Sequence, residues 1–134
     1  MIVISHLSKS FGNRAVLNDV SLSVRPGECV FVLGKSGVGK SVLLKHIVGL
    51  EEPDRGKVTV GEWVVNASEP KTLTLIRQTC GLVFQFPALL DSVTVFENIG
   101  FGLRARGLLT SPSDIAERVR EKLKLVGVEE AVLE

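Results

Sequence analysis

GKSGVGKS, residues Gly34–Ser41, is the stretch on which the reading turns. Gly34, Gly39, Lys40 and Ser41 meet the pattern G-x4-G-K-[ST]. The placement matters more than the letters. A short continuous apolar run, Cys29–Leu33, precedes it and suits a central strand covered on both faces. Leu43, Leu44, Ile47 and Val48 follow at helical spacing, and Gly49 is a C-terminal stop. A strand, a glycine-rich turn and a helix form the context in which this pattern holds phosphate. Glycines let the backbone approach an anion in dihedrals closed to other residues. Successive N–H groups make a nest, reinforced by the helix N-terminus. Lys40 sets a compact positive charge on the β and γ phosphates of a nucleoside triphosphate, and Ser41 offers a hydroxyl to Mg²⁺. Charge-assisted hydrogen bonds contribute about 1.5–3 kcal/mol each, so two or three support roughly micromolar-to-millimolar binding. Lys35, Ser36, Gly37 and Val38 complete the loop, and Val42 continues it into the helix.

Working outward, residues 2–8 and 20–24 alternate like strands, with turns at Gly12–Arg14 and Pro26–Gly27. Pro53–Asp54–Arg55–Gly56 reads as a turn. Lys57–Val60 and Glu62–Val65 then form a hairpin through Gly61. Pro70–Thr79 is a helix with proline in its first turn, and Cys80–Phe84 another strand. Phe96, Ile99 and Leu103 make a sparse apolar stripe in which Gly100, Gly102 and Gly107 would each weaken a helix by roughly 1 kcal/mol. Ser111–Asp114 starts a further helix: Ser111 caps, Pro112 fills the first turn and Asp114 reaches back. Ile115, Val119 and Leu123 share one face of it, and Gly127 ends it. Strands alternating with helices indicate an α/β layered fold.

Composition narrows the function classes. With 134 residues the chain is one domain at most. Its 45% apolar and 23% charged residues are those of an ordinary globular protein. A net charge of +1 supplies no field to recruit nucleic acid. No apolar run reaches the roughly 20 residues needed to cross a bilayer. MIVISHLSKSF has no long apolar region of the signal-peptide kind, so the expectation is a cytoplasmic chain. Cys29 and Cys80 then read as buried core thiols. His6 and His46 stand far apart with no cysteine or carboxylate at ligand spacing, and no metal site follows from them.

Beyond the loop, three stretches resemble the ATP-binding domains of ABC transporters. Phe11, in SKSFGNRAVL, lies where that family places an aromatic ring on adenine, although alone it reads equally as core packing. VSLSVRPGECVFVLGKSGVGKSVLLKHIVGLEEPDRGKVTVG runs like the family from its β-subdomain to the turn after the loop helix. GLVFQFPALLDSVTVFENI looks like its Q-loop. The resemblance implies a P-loop NTPase fold: a RecA-like core and an antiparallel β-subdomain over residues 1–95, and the start of a helical subdomain over 96–134. It implies ATP and Mg²⁺ as ligands. Phe11, Val16, Gly34–Val42 and Gln85 would contact the nucleotide, and Ser41 and Gln85 the metal ion. Phe86–Leu90 would meet transmembrane permease subunits, with collapse of that loop onto the core as the competing account. A second ATP-binding subunit would complete a homodimer at the inner face of the membrane. GKSVLLKHIVGL and ALLDSVTVFENIGFGLR look most like the ATPases of Mla/MCE-type phospholipid transporters.

The resemblance covers the whole chain but only about the first half of that family's domain. No LSGGQ-type signature occurs, and Leu89-Leu90-Asp91 is followed by Ser92 where a catalytic glutamate would stand. His46 lies in the loop helix and does not match the family's switch histidine. With no general base and no signature, the fold is expected to be incomplete and the chain alone to bind nucleotide marginally and hydrolyse little. The intact parent would be the ATPase. Two other readings stand beside this one, a non-transport ABC ATPase and another P-loop NTPase. A GTPase would show N-K-x-D and D-x-x-G, and neither is found here.

Overall fold

A computed structural model describes residues 1–86, 88–105 and 111–128. The chain divides into two compact units, Met1–Gly81 and Leu82–Glu134. The first holds β1 (Ile2–Phe11), β2 (Arg14–Val24), α1 (Lys40–Ile47), β3 (Arg55–Val60), β4 (Trp63–Val64) and α2 (Pro70–Thr79). The second holds α3 (Val95–Ala105) and α4 (Pro112–Leu125).

The first strand is longer than its alternation suggests because the alternation changes phase. Ile4 is buried, as period two requires, but the next buried residue is Leu7, three positions on. Between them the register with β2 and with β3 shifts, and His6 adopts φ 51°. This bulge carries Leu7 onto the buried face, and two further register shifts with β2 follow before Ser10. Opposite His6, Asp19 of β2 is also left-handed, at φ 52°. The pair is bridged by His6 Nδ1 and Asp19 Oδ1 at 2.7 Å. Ser21 Oγ accepts from the His6 N–H at 3.0 Å, and Ser8 Oγ from the Asp19 N–H at 3.0 Å.

The same bulge corrects the reading of Pro53–Gly56. Arg55 and Gly56 already belong to β3, and a Cβ on Gly56 would lie 2.4 Å from the Ser5 carbonyl oxygen and 2.3 Å from that of His6. Gly56, at φ 82°, is there for this close approach and not for a turn. The following hairpin does turn at Gly61, with Val60 opposite Trp63, though its second strand has only two residues. All pairings are antiparallel, in the order β2-β1-β3-β4.

Leu43 of α1 and Ile76 of α2 close the core against Ile4, Leu7, Leu17, Val58 and Val60. On α1 the expected inward face holds at Leu43, Ile47 and Val48 but not at Leu44. Leu44 is 45% exposed and His46 is fully buried in its stead, because positions i and i+3 fall within about 60° on a helix while i and i+1 lie about 100° apart. His46 donates from Nδ1 to the Val42 carbonyl at 2.7 Å. The helix closes as expected at Gly49, whose φ of 65° lets its N–H reach the His46 carbonyl at 3.3 Å and that of Leu50 reach Lys45 at 2.9 Å. Arg77 of α2 then donates to the carbonyls of Val48 and Gly49, at 3.0 and 2.8 Å.

Two expected core strands are absent as strands. Among the described residues, Cys29–Leu33 and Cys80–Phe84 enter no ladder. Phe31, Leu33 and Val83 are 80%, 87% and 95% exposed. A buried strand needs hydrogen-bonding neighbours on both sides, which local composition cannot supply. Cys29 is consequently exposed, and only Cys80 is half-buried against the core.

In the second unit Phe96, Ile99 and Leu103 pack on Ile115, Val119 and Leu123, as their spacing foretells. Gly100 is an asset there, since a Cβ would sit 3.2 Å from Ile115 Cγ2. Gly107 lies outside the described residues. Ser111 occupies the N-cap of α4 but makes no side-chain cap bond; its hydroxyl pairs with that of Ser113 at 2.6 Å, and Ser113 with Asp114 at 3.3 Å.

Gly56→Ala is expected to destabilise the fold by about 2–3 kcal/mol, read from urea midpoints, through the overlap with β1. Gly102→Ala, where nothing lies within 4 Å, should instead add about 0.5–1 kcal/mol. An unchanged midpoint for Gly56→Ala would contradict the close β1–β3 approach.

Candidate functional site

The loop expected to cradle phosphate turns on two left-handed glycines. Gly37 and Gly39 have φ values of 76° and 103°, and Val38 between them is not left-handed. Such alternation of hand directs successive N–H groups toward one side, the geometry of an anion nest. Gly39 is the N-cap of α1, and neither a side-chain cap nor an acidic residue occupies the first turn. The helix therefore starts with its orphan N–H groups and positive dipole end free of any competing carboxylate.

Lys40, the first residue of α1, folds back across the loop. Its ammonium donates to the carbonyls of Gly34 and Lys35, at 2.7 Å each. The charge thus sits at the mouth of the loop, while Ser41 beside it is exposed. Lys35 and Ser36 are exposed on the loop as well, and Val38 is 50% exposed. Val42 is half-buried against the core.

Val16 has a specific place. A Cβ on Gly39 would lie 2.9 Å from Val16 Cγ1, 3.1 Å from the Val16 carbonyl oxygen and 3.2 Å from Leu17 Cδ2. The start of the helix rests directly on β2. Nearby, Arg14 donates from Nη2 to the Gly37 carbonyl at 3.4 Å. No local pattern marks Arg14, because folding alone closes a separation of 23 residues. Phe11 pairs with Arg14 across the end of the β1–β2 hairpin and is 47% exposed. The hairpin thereby brings Arg14 and Val16 to the loop, with Phe11 paired to Arg14 at its end. Three basic groups, Arg14, Lys35 and Lys40, and a row of uncapped amides fit a polyphosphate chemically.

Gln85 belongs to the second unit, where it lies exposed on a bend without the strand expected to deliver it. Phe86, Leu89 and Leu90 around it are 76%, 65% and 51% exposed. Its downstream end is held by bonds that were readable but missed. Thr94 and Glu97 form a reciprocal capping box, the Thr94 N–H to Glu97 Oε2 at 2.9 Å and the Glu97 N–H to Thr94 Oγ1 at 3.2 Å. Asn98 accepts from the Leu90 N–H at 2.8 Å and donates to the Leu90 carbonyl at 3.0 Å. Among the described residues no helix is long and apolar enough to cross a membrane.

Comparison with known proteins agrees with this geometry. A family model described as "ABC transporter" matches residues 17–134. The sulfate/thiosulfate import ATP-binding protein CysA of Synechocystis is 40% identical over 128 residues, covering 96% of this chain and 34% of that protein. The methionine import ATP-binding protein MetN of Clostridioides difficile is 39% identical over 130 residues, covering 97% and 40%. A solved dimeric ATP-binding cassette in a post-hydrolysis state, bound to ADP and Pi, matches with a TM-score of 0.86 at 30% identity, over 99% of this chain and 60% of that one. The chain thus spans 34% to 40% of the length of these two curated relatives.

The Gly39–Val16 contact makes a double-mutant prediction. Gly39→Ala should destabilise the fold by about 1–3 kcal/mol, and Val16→Ala in the same chain should recover part of that loss by removing the nearest clash. Strictly additive denaturation energies would show that the two residues do not touch.

Proposed function

This chain belongs to the ABC transporter family, and from that membership we propose that it forms the nucleotide-gripping part of a transporter's ATP-binding subunit. The observation that carries the reading is the Lys40 ammonium, held at 2.7 Å by the Gly34 and Lys35 carbonyls at the open end of α1. Those carbonyls keep the charge in place until a better acceptor arrives. A β- or γ-phosphate oxygen is such an acceptor, being fully anionic. On binding, Lys40 exchanges carbonyls for phosphate while the amides of Gly37–Ser41 donate to the remaining oxygens. Phe11 would take the adenine and Val16 the space beneath it. Ser41 would hold Mg²⁺, which when bound neutralises charge on the β and γ phosphates.

The remaining parts of the proposal follow from family membership. Residues 1–95 belong to the P-loop core and β-subdomain, and 96–134 open the helical subdomain. Gln85 senses Mg²⁺ and the γ-phosphate, and the segment Phe86–Leu90 docks on a transmembrane permease at the inner face of the membrane. Hydrolysis belongs to the intact subunit, paired with a second copy. Cargo choice lies with the membrane partner in this proposal, so the phospholipid resemblance adds nothing to the nucleotide site.

Calorimetry with ATP and Mg²⁺ tests the core of it. Lys40→Ala is expected to weaken binding by roughly ten- to a hundredfold, the loss of one or two charge-assisted bonds. Gln85→Ala should leave nucleotide affinity within about twofold. Unchanged affinity in Lys40→Ala would remove the lysine from the site.

A further inference from the structure

Lys9 is charged, yet its side chain is only 14% exposed, and it serves four groups at once. Its ammonium donates to the Glu52 carbonyl at 2.6 Å and lies 3.6 Å from both Glu51 Oε1 and Asp54 Oδ1. It also stands over the ring of Phe11, 5.3 Å from the centroid. The arrangement sits in the irregular half of β1, where the register with β2 shifts again between Leu7 and Lys9 and between Lys9 and Ser10. The acceptors come from the segment that leaves α1 through Gly49, and that segment is itself bound to β1: the Asp54 N–H donates to the Ser8 carbonyl at 2.9 Å, and the Ser10 N–H to Asp54 Oδ2 at 2.7 Å. Lys9 therefore links the C-terminal side of the phosphate helix to the aromatic ring at the hairpin end.

We propose that Lys9 is a positioning residue for the nucleotide base: its anchored ammonium occupies one face of Phe11 and presents the other face to the purine. This rests on the reading above in which Phe11 carries the base. A cation over an aromatic face favours one of the staggered rotamers among which a half-exposed ring at a strand end otherwise exchanges. Neither the phosphates nor Mg²⁺ meet Lys9 in this scheme. Its influence falls on the base alone, and that separates it from a residue that merely supports the fold.

The experiment compares ATP with inorganic tripolyphosphate, which has the charge but no base, on the full chain and its variants. Lys9→Met should weaken ATP roughly two- to fivefold and leave tripolyphosphate affinity unchanged, and Lys9→Arg should restore the unmodified ratio. Phe11→Ala should weaken ATP about fivefold or more, again without effect on tripolyphosphate. Equal losses for both ligands in Lys9→Met would mark a structural residue and overturn the proposal, as would no loss for either. Selective loss in Phe11→Ala with an unchanged ratio in Lys9→Met overturns the role of Lys9 alone. Indifference of ATP binding to Phe11→Ala overturns the base-platform reading, and the Lys9 proposal with it.

Discussion

The contact between the Gly39 backbone and Val16 sets where everything else in the phosphate site can be. Any side chain at 39 would lie within 2.9 Å of Val16 Cγ1, so only glycine lets the first turn of α1 settle on β2. That settling decides the direction in which Lys40 leaves the helix and the distance at which Arg14 meets Gly37. A loop of small residues has many conformations, and a phosphate nest needs one. The steric fit against a rigid hairpin removes most of the alternatives before any anion arrives.

The far end of α1 is held as firmly by different means. Gly49 turns left-handed, and a Cβ there would lie 2.5 Å from Leu73 Cδ2. Arg77 covers the carbonyls of Val48 and Gly49, placing a positive charge at the negative end of the helix dipole. An eight-residue helix is too short to persist by itself. It exists because Leu43 and His46 are buried and both ends are tied to neighbouring elements.

What could be read in advance, and what could not, divides by the range of the interaction. The phosphate loop, α2 from its proline onward and the inward face of α4 are local patterns, and all three are present. The bulge at His6 is a two-strand event. Alternation in MIVISHLSKSF breaks there, and a broken alternation reads as the end of a strand, which is why residues 2–8 fell short of Phe11. The glycine of Pro53–Gly56 was assigned to a turn because the Ser5 and His6 carbonyls it admits are some fifty positions away. Arg14 and Lys9 were invisible for the same reason: their partners are distant in sequence. Cys29–Leu33 shows the opposite error. An apolar run bounded by turns predicts a buried strand only if other strands come to lie beside it.

The two sides of the phosphate loop are held differently. In the expected arrangement a paired strand delivers the loop from its N-terminal side. The contacts that hold the loop among the described residues come from its other side, from α1, Val16 and Arg14. Gly37–Ser41 therefore inherit order from the helix, whereas Gly34 and Lys35 depend on the Lys40 ammonium that bridges their carbonyls. In the proposed binding step a phosphate takes that ammonium, so the first two loop residues lose their tether as the rest of the loop gains one. The freedom regained at Gly34 and Lys35 would then offset part of the order gained at the nest.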